Sequence, residues 1–323
     1  MYRVLKKFDD MRFLGFEIWE FSGRSLFTDY GPLFFKEVIL RHLFRTTSGL
    51  IKYRRYISSR DKKAEVECLS SEFFTQFGDF MVKGDGELLL AVGFCQKPIE
   101  ISGISKECPS GRFNHNCLYL DASGSSERVL WKNEVSSTDK KLPIKSVMGK
   151  SVSGRSKRDS EAFMDLQKKE VIHKEMFEAC RSCEIRKIAT RALKGGMEFY
   201  IMTSARDIAE DILIPSIRWG KFKKGIFLLC PYSSHAIIAP LLICGIDSVL
   251  VKYSSGNCLN YNYFINADKG IKASRTSISY FGNKKLNYLV DKCRELRVKD
   301  GGEPVISWRK SGNFYMPVGE RQV

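Results

Sequence analysis

The sequence predicts an α/β fold with a parallel sheet in its C-terminal half, and three observations support this. From about residue 183 onward, short apolar runs of strand length alternate with longer segments of helical periodicity. Glycines follow the predicted helices, as at Gly195 and Gly245. The segments that join the strands are long enough for right-handed helical crossovers, which make strands parallel. We therefore expect a Rossmann-like three-layer parallel sheet in the C-terminal half, a helical N-terminal region and a basic flexible linker.

Composition shifts predict how the chain is organised. The predicted segments are a helical, basic N-terminal region (1–85), a strand with a cysteine-rich loop (86–120), a flexible basic linker (121–160), a Rossmann-like α/β domain (161–300) and a C-terminal tail (301–323). Residues 34–44 show helical spacing, and residues 86–95 read as a buried strand that runs into a cysteine. The linker is rich in Ser, Gly and Lys, and residues 140–158 hold seven basic residues and no acidic one, which is typical of a solvated segment.

The elements of the C-terminal half follow from the same patterns. Ser160 is the predicted N-cap of a long helix that starts at Glu161. After it, we predict strands from Glu198 to Met202, from Gly225 to Cys230 and from Ser248 to Tyr253. The predicted helices run from Cys183 to Leu193, from Ala205 to Ile217, from Ser233 to Cys244 and from Asn283 to Arg297.

Composition limits the class of protein. The 323 residues include 53 Lys+Arg and 37 Asp+Glu, which gives a formal charge of +16, and 43% are hydrophobic. These values exclude collagen-like, low-complexity and fully disordered chains. The start of the chain has no apolar core of a secretory signal, so we expect a cytoplasmic protein. The uncharged stretch 225–246 contains Pro231 and Pro240, which favours a buried strand and helix over a membrane span.

Ten cysteines are the main chemical signal of the sequence. Cytoplasmic thiols stay reduced, so metal binding or redox chemistry is expected rather than a disulfide framework. Seven cysteines fall at predicted strand ends, in the C-x-x-C of CRSC or in the cysteine-rich loop: Cys95, Cys108, Cys117, Cys180, Cys183, Cys230 and Cys258. A 4Fe-4S cluster needs about four thiolates, and dispersed cysteines favour it, with zinc as the alternative. Cys244 and Cys293 are expected to serve in packing, whereas Cys68 has no assignment.

Three polar residues near these cysteines are candidates for contacting a cofactor. His115 lies beside Cys117, and His235 follows Cys-Pro-Tyr-Ser-Ser. Asn257 lies in the turn Ser-Gly-Asn-Cys, which has the composition of an anion-binding nest. The sequence contains no P-loop, G-x-G-x-x-G, H-E-x-x-H or G-x-S-x-G motif.

Several short motifs resemble a known family. CRSCEIRKIA, GIFLLCPYS, GNCLNYNYFINADKG, GFCQKP and CPSGRFNHNC are similar to segments of the prokaryotic cysteine-rich domain-of-unknown-function family numbered one hundred and sixteen. The resemblance covers about 85–125 and 175–275, and residues 1–85 match no family that we can name. It implies cysteine-ligated metal of the iron–sulfur type, adds Asp268 to the cofactor-binding candidates, and implies no reaction or substrate.

These observations predict an iron–sulfur metalloprotein with a role in redox chemistry or small-molecule binding, served by a redox partner protein. Two alternatives stay open. The +16 charge and the basic linker fit a nucleic-acid-binding protein, whose affinity should fall with salt. The cysteines also fit a zinc-stabilised interaction module without catalysis. The sequence does not decide whether the chain is an enzyme.

Overall fold

A computed structural model describes part of the N-terminal half of the chain and most of the C-terminal half. The described residues are 30–61, 63–69, 87–99, 107–124, 179–180, 183–299, 305 and 307–318. The basic run 140–158, the start of the helix predicted from Glu161 and residues 1–29 lie outside them. Of the predicted linker, 121–160, the structure describes only 121–124, which close a helix.

A single mixed sheet organises the described residues. The strands are β1 (Val66–Cys68), β2 (Glu87–Gly93), β3 (Glu198–Met202), β4 (Phe222–Leu229), β5 (Asp247–Ser255), β6 (Ser277–Ile278), β7 (Ser307–Ser311) and β8 (Phe314–Val318). Their order across the sheet is β1-β5-β4-β2-β3-β8-β7, and β6 pairs with β5 outside this path. The four central strands β5, β4, β2 and β3 are parallel, whereas the outer pairs are antiparallel. The α/β class is therefore as predicted.

The chain reverses its winding direction at the centre of the sheet. From β2 it moves to the neighbouring β3, then returns past β2 to β4 and continues outward to β5. The connections that leave β2 and β4 therefore diverge, and a crevice opens at the carboxyl ends of these two strands. Cys95, which follows β2, and Cys230, which follows β4, both lie at this crevice.

The central strands are buried on both faces. All five residues of β3 are buried, and the apolar runs of β4 and β5 are nearly continuous, as in parallel strands covered on both sides. Successive residues of β2 alternate between two hydrophobic cores, with Leu90 and Val92 in one and Leu89 and Ala91 in the other. Two helical layers therefore cover the sheet.

The helices connect and cover the strands. They are α1 (Tyr30–Phe34), α2 (Leu43–Ser59), α3 (Leu118–Gly124), α4 (Glu184–Lys194), α5 (Ala205–Ile208), α6 (Ile214–Trp219), α7 (Pro231–Cys244), α8 (Tyr261–Asp268) and α9 (Tyr280–Lys299). Phe35–Ile39 and Ala209–Leu213 are π-helical, and Phe94–Gln96 is a 3₁₀ turn. The helix predicted over 34–44 is interrupted at His42, whose backbone leaves the helical region before α2 begins. No helix among the described residues combines the length and apolarity needed to cross a bilayer.

Two features of the sheet extend across the predicted segment boundaries. Strand β2 lies between β3 and β4, so residues 87–93 and the 198–255 region build the same sheet rather than separate parts. Residues 307–318 of the predicted tail form a hairpin that adds β8 to the edge of β3. Gly312, at φ +58°, makes the tight turn of this hairpin, and Tyr315 is fully buried. Residues 307–318 cover the edge of β3 with apolar side chains such as Phe314 and Tyr315.

A glycine sets the distance between α2 and α7. A β-carbon at Gly49 would lie 2.5 Å from the Cα of Ile243, which is main chain and cannot rotate away. Gly49→Ala should therefore lower the free energy of unfolding by about 1–3 kcal/mol through overpacking. The same change at an open helical site is stabilising by up to about 1 kcal/mol. Urea denaturation measures the effect, with exposed Ser48→Ala as the control; an unchanged or raised stability in Gly49→Ala would contradict the close approach.

Candidate functional site

The crevice between β2 and β4 holds a cavity of about 120 Å³, which we call the switch-point cavity. Its walls are largely apolar and include Phe94, Met202, Leu229, Ile237 and Phe264. Eight of the lining residues have polar side chains: Cys95, Thr203, Cys230, Ser233, Tyr253, Cys258, Asp268 and Lys272. A small apolar cavity with few convergent polar groups at a topological switch point is the usual setting of a small-molecule site.

Cys230 lies at the centre of the polar groups because β4 ends and α7 begins there. It is the N-cap of α7, and Pro231 fixes the first helical position. Its Sγ accepts a hydrogen bond from the Ser233 N–H at 3.2 Å and lies 2.9 Å from Ser233 Oγ. The interaction with Cys258, helped by Ser233, outweighs burial and sets the pKa of Cys230 below the ordinary cysteine value.

Cys258 is the protonated partner of Cys230. It follows β5 in a turn held by Asn257 Nδ2, which donates to the Tyr253 carbonyl at 3.0 Å. Gly256 adopts φ +67°, and a β-carbon there would clash with the Arg275 carbonyl. Both features require glycine at this position. Donation to the Cys230 sulfur and burial raise the pKa of Cys258, while Lys272 Nζ approaches its Sγ at 3.3 Å. Cys230 has several donors to its sulfur, so the negative charge of the pair resides there.

Cys95 is the third thiol of the cavity. It follows β2, and Thr276 Oγ1 donates to its Sγ at 3.3 Å. Burial raises the pKa of Cys95 to about 11, although the Thr276 hydrogen bond opposes this. Cys95 and Cys230 interact electrostatically, so all three predicted strand-end cysteines do meet at one edge of the sheet.

The remaining cofactor-binding candidates differ in their positions. Asp268 lines the cavity and accepts a hydrogen bond from the Ala205 N–H at 2.7 Å. His115 lies beside Thr203, with Nε2 3.1 Å from Oγ1 and Nδ1 2.7 Å from the Ile201 carbonyl. Asn257 shapes the Cys258 turn, as described above. His235 belongs to α7.

Four other cysteines form a separate group, which we call the loop–helix thiols: Cys108, Cys117, Cys180 and Cys183. Cys117 interacts electrostatically with the other three, and Cys180 and Cys183 each interact with Cys108. Cys183 is the N-cap of α4 but makes no side-chain capping hydrogen bond, and burial raises the pKa of its thiol. Burial likewise raises the pKa of Cys117 to about 12. The seven predicted ligands therefore divide into a group of three and a group of four.

Lys97 holds the loop that carries Cys108 and Cys117. It is 1% exposed, and its ammonium donates to the carbonyls of Gly111, Asn114 and Asn116 at 2.9 Å and to Asn114 Oδ1 at 2.8 Å. Burial lowers the pKa of Lys97, whereas three of the loop–helix thiols favour its charged form. Sequence reasoning missed this residue, because Lys97 in Gln-Lys-Pro has the pattern of an ordinary surface lysine.

Other functional side chains were missed for different reasons. Ser233 follows Cys230 by three residues, which is the spacing of a helix-capping interaction, so this contact had a visible signal. Lys272 and Thr276 lie beyond α8 and reach the cavity only through the fold, without any signal in the sequence. Cys244 and Cys293 are 3% and 6% exposed, as their predicted packing role requires.

Within the part of the chain that the structure describes, no group of three or more His, Cys, Asp or Glu side chains is arranged to hold a metal ion. The described cysteines are all free thiols. Comparison of the chain with protein-family models, curated proteins and solved structures gives no match. The function must therefore be argued from the two thiol groups themselves.

Proposed function

We propose that the switch-point cavity is a dithiol redox site that acts on a small, largely apolar disulfide, with Cys230 as the attacking thiolate and Cys258 as the resolving thiol. The observation that carries the proposal is that both thiols line one small-molecule cavity, where Ser233 contacts the Cys230 sulfur and Lys272 contacts the Cys258 sulfur. The proposal also takes the four central parallel strands as a Rossmann-like unit, because their order reverses at the cavity.

The chemistry follows from the different protonation of the two thiols. The Cys230 thiolate attacks one sulfur of the substrate disulfide, which forms a mixed disulfide and releases the first substrate thiolate. Cys258 then attacks the Cys230 sulfur and releases the second substrate thiolate. One proton for the two product thiols comes from Cys258 and the other from solvent. Two electrons pass from the cysteine pair to the substrate, and an external dithiol reductant restores the pair.

The surroundings of the pair suit this cycle. Ser233 and the first turn of α7 stabilise the negative charge that Cys230 carries before attack. Lys272 lies against Cys258 and stabilises the charge that develops there when this thiol gives up its proton. The apolar walls, including Phe94 and Phe264, favour a small hydrophobic substrate over a charged one.

Oxidation of the full chain tests the proposal. Treatment with diamide at pH 7 should join Cys230 and Cys258 in one disulfide, which peptide mass spectrometry without reduction detects. Cys258→Ala should abolish this disulfide and slow the alkylation of Cys230 at pH 7, because removal of the donor raises the pKa of Cys230. Each unit of that rise lowers the thiolate fraction by about tenfold.

Cys293→Ala is the matched control, since Cys293 is buried on α9 away from the cavity. It should leave both the disulfide and the alkylation rate of Cys230 unchanged. If the native chain forms no Cys230–Cys258 disulfide, or if Cys230 reacts no faster than Cys293, the redox proposal fails.

The nucleic-acid alternative stays a prediction, and the 140–158 run on which it partly depends lies outside the described residues. The metal centre also stays a prediction, because no group of three or more ligating side chains among the described residues is arranged to hold a metal ion.

A further inference from the structure

We infer that the outer side of α2 and the neighbouring end of α6 form one surface that docks on an anionic phospholipid bilayer. The apolar side chains of this docking face enter the headgroup layer, and its basic side chains pair with lipid phosphates. The docking face contacts a membrane without spanning it and shares no residue with the switch-point cavity. Its apolar members are Leu40, Leu43, Phe44, Ile51 and Trp219.

Helix α2 packs on the protein through one of its sides. Its buried residues Thr46, Gly49 and Tyr53 are spaced three and four apart, and Gly49 lies against α7. Phe44 lies on the opposite side and is 95% exposed, and Ile51, two turns further along, is half exposed. A cluster of exposed apolar residues with a polar rim marks an interaction surface.

Trp219 extends the exposed apolar surface from α2 to α6. Arg45 Nη1 donates to the Ile217 carbonyl at 3.1 Å, which holds the end of α6 beside the start of α2. Trp219 is the last residue of α6 and is 73% exposed, and the Arg218 guanidinium lies 5.9 Å from the centre of its ring. Tryptophan is enriched at membrane–water interfaces because its ring is apolar and its N–H is polar.

The charge of this surface has one sign. Residues 38–60 contain five arginines, one lysine and no aspartate or glutamate. Glu37, which directly precedes them, pairs with Arg41 at 3.2 Å and also with Arg218. Anionic lipid headgroups supply the complementary charge. The exposed basic side chains of α2 are those of Arg45, Lys52, Arg54 and Arg55.

A lipid surface fits both properties better than other partners do. Residues 1–29, which precede the docking face in the chain, contain five basic and five acidic residues, so they do not complement its charge. A nucleic acid would use the cations and stack on the aromatic rings, but it leaves the exposed Leu40, Leu43 and Ile51 without a role. Arginine and lysine beside leucine, phenylalanine and tryptophan are typical of a helix that lies on a membrane surface.

Vesicle binding of the full chain tests the inference. Phosphatidylcholine vesicles with about 30% phosphatidylserine should sediment the chain at about 0.1 M salt, and vesicles of phosphatidylcholine alone should bind it about tenfold or more weakly. Lys52→Gln/Arg55→Gln should weaken binding to the anionic vesicles about thirtyfold, and Phe44→Ser about tenfold or more. Tryptophan emission should shift to shorter wavelength on binding, and Trp219→Phe should remove this shift.

Matched controls lie on α9, which covers the other side of the sheet, since its Leu286 belongs to one hydrophobic core and Tyr53 of α2 belongs to the other. Phe281→Ser removes an exposed aromatic ring, and Lys284→Gln/Arg294→Gln removes two exposed charges. Both variants should bind vesicles as the native chain does. The substituted side chains are all exposed, so the variants should fold like the native chain.

Three results would overturn the inference. They are the absence of binding to anionic vesicles, equal weakening by the docking-face and control variants, and binding that Phe44→Ser leaves unchanged, because adsorption by charge alone needs no apolar side chain. Single-stranded RNA at the same salt provides a parallel arm. RNA binding that Phe44→Ser weakens, without vesicle binding, would assign the surface to nucleic acid and likewise overturn the inference.

Discussion

Replacement of Lys97 by methionine is expected to lower the free energy of unfolding by about 3–5 kcal/mol. Methionine fills a similar volume but cannot donate, so the carbonyls of Gly111, Asn114 and Asn116 and the Asn114 side chain lose their partner. Each buried acceptor without a partner costs about 1–3 kcal/mol before the loop relaxes toward solvent. Urea denaturation of the chain and the variant under the same reducing conditions gives the difference.

The control is Lys269→Met, because Lys269 is exposed at the end of α8. This change should alter stability by less than about 0.5 kcal/mol. A loss of less than about 1 kcal/mol in Lys97→Met would show that the ammonium does not organise the loop.

Neutralising Glu67 by Glu67→Gln is expected to cost about 3–5 kcal/mol. The side chains of Glu67, Arg60 and Lys252 are 3%, 2% and 6% exposed and form one ion-pair group between α2, β1 and β5. Arg60 binds the carboxylate with two nitrogens, at 2.7 and 3.0 Å, and Tyr56 also donates to it. Glutamine keeps the size of the side chain but leaves two buried cations without their anion.

The pH dependence of stability gives a second readout for Glu67. Burial raises the pKa of this carboxyl, but the hydrogen bonds from Arg60, Lys252 and Tyr56 outweigh burial, and the pKa lies below its ordinary value. The stabilisation is therefore fully present above the unfolded pKa of about 4.3 and is lost as pH falls through the lower folded pKa. Between pH 5 and the lowest pH at which the chain still folds, the free energy of unfolding should fall more in the wild-type chain than in Glu67→Gln. The size of this difference follows the shift in the pKa of Glu67.

Glu295→Gln is the matched control for charge removal. Glu295 pairs with Lys292 at 3.2 Å on the surface of α9, and its side chain is 60% exposed. Exposed pairs contribute about 0–1 kcal/mol, so this variant should retain nearly the full stability and acid response of the wild-type chain. A loss of stability in Glu67→Gln no larger than in Glu295→Gln would contradict a buried ion-pair group.

The sequence predicted those elements whose local pattern and tertiary environment agree. Strands β3, β4 and β5 each contain a short apolar run, and α4 and α7 end at glycines, so burial and capping mark similar boundaries. The hairpin β7–β8 was missed because its strands are short and contain lysine, arginine and proline, and only pairing with β3 orders them. Strand β8 pairs with β3, which lies more than 100 residues earlier in the sequence, and a local sequence pattern does not identify such a distant partner.

The sequence predicted one part of the candidate site, because that part also follows from a local pattern. Cysteines at strand ends indicate a shared edge of the sheet, and this placed Cys95, Cys230 and Cys258 together. The division of the seven cysteines into groups of three and four depends on the path of the cysteine-rich loop, which Lys97 fixes through tertiary contacts. The preference of Cys230 for the thiolate form likewise arises from its contact with Cys258, which lies far along the chain.

The central position of β2 affects how the chain folds during its synthesis. This strand leaves the ribosome before any of its parallel neighbours, and its partners β3 and β4 begin 105 and 129 residues after it ends. Until they emerge, both rows of its amide and carbonyl groups lie open to other chains, so the nascent protein passes through an aggregation-sensitive interval. Chaperone dependence and slow refolding are the expected properties of a topology with such distant contacts.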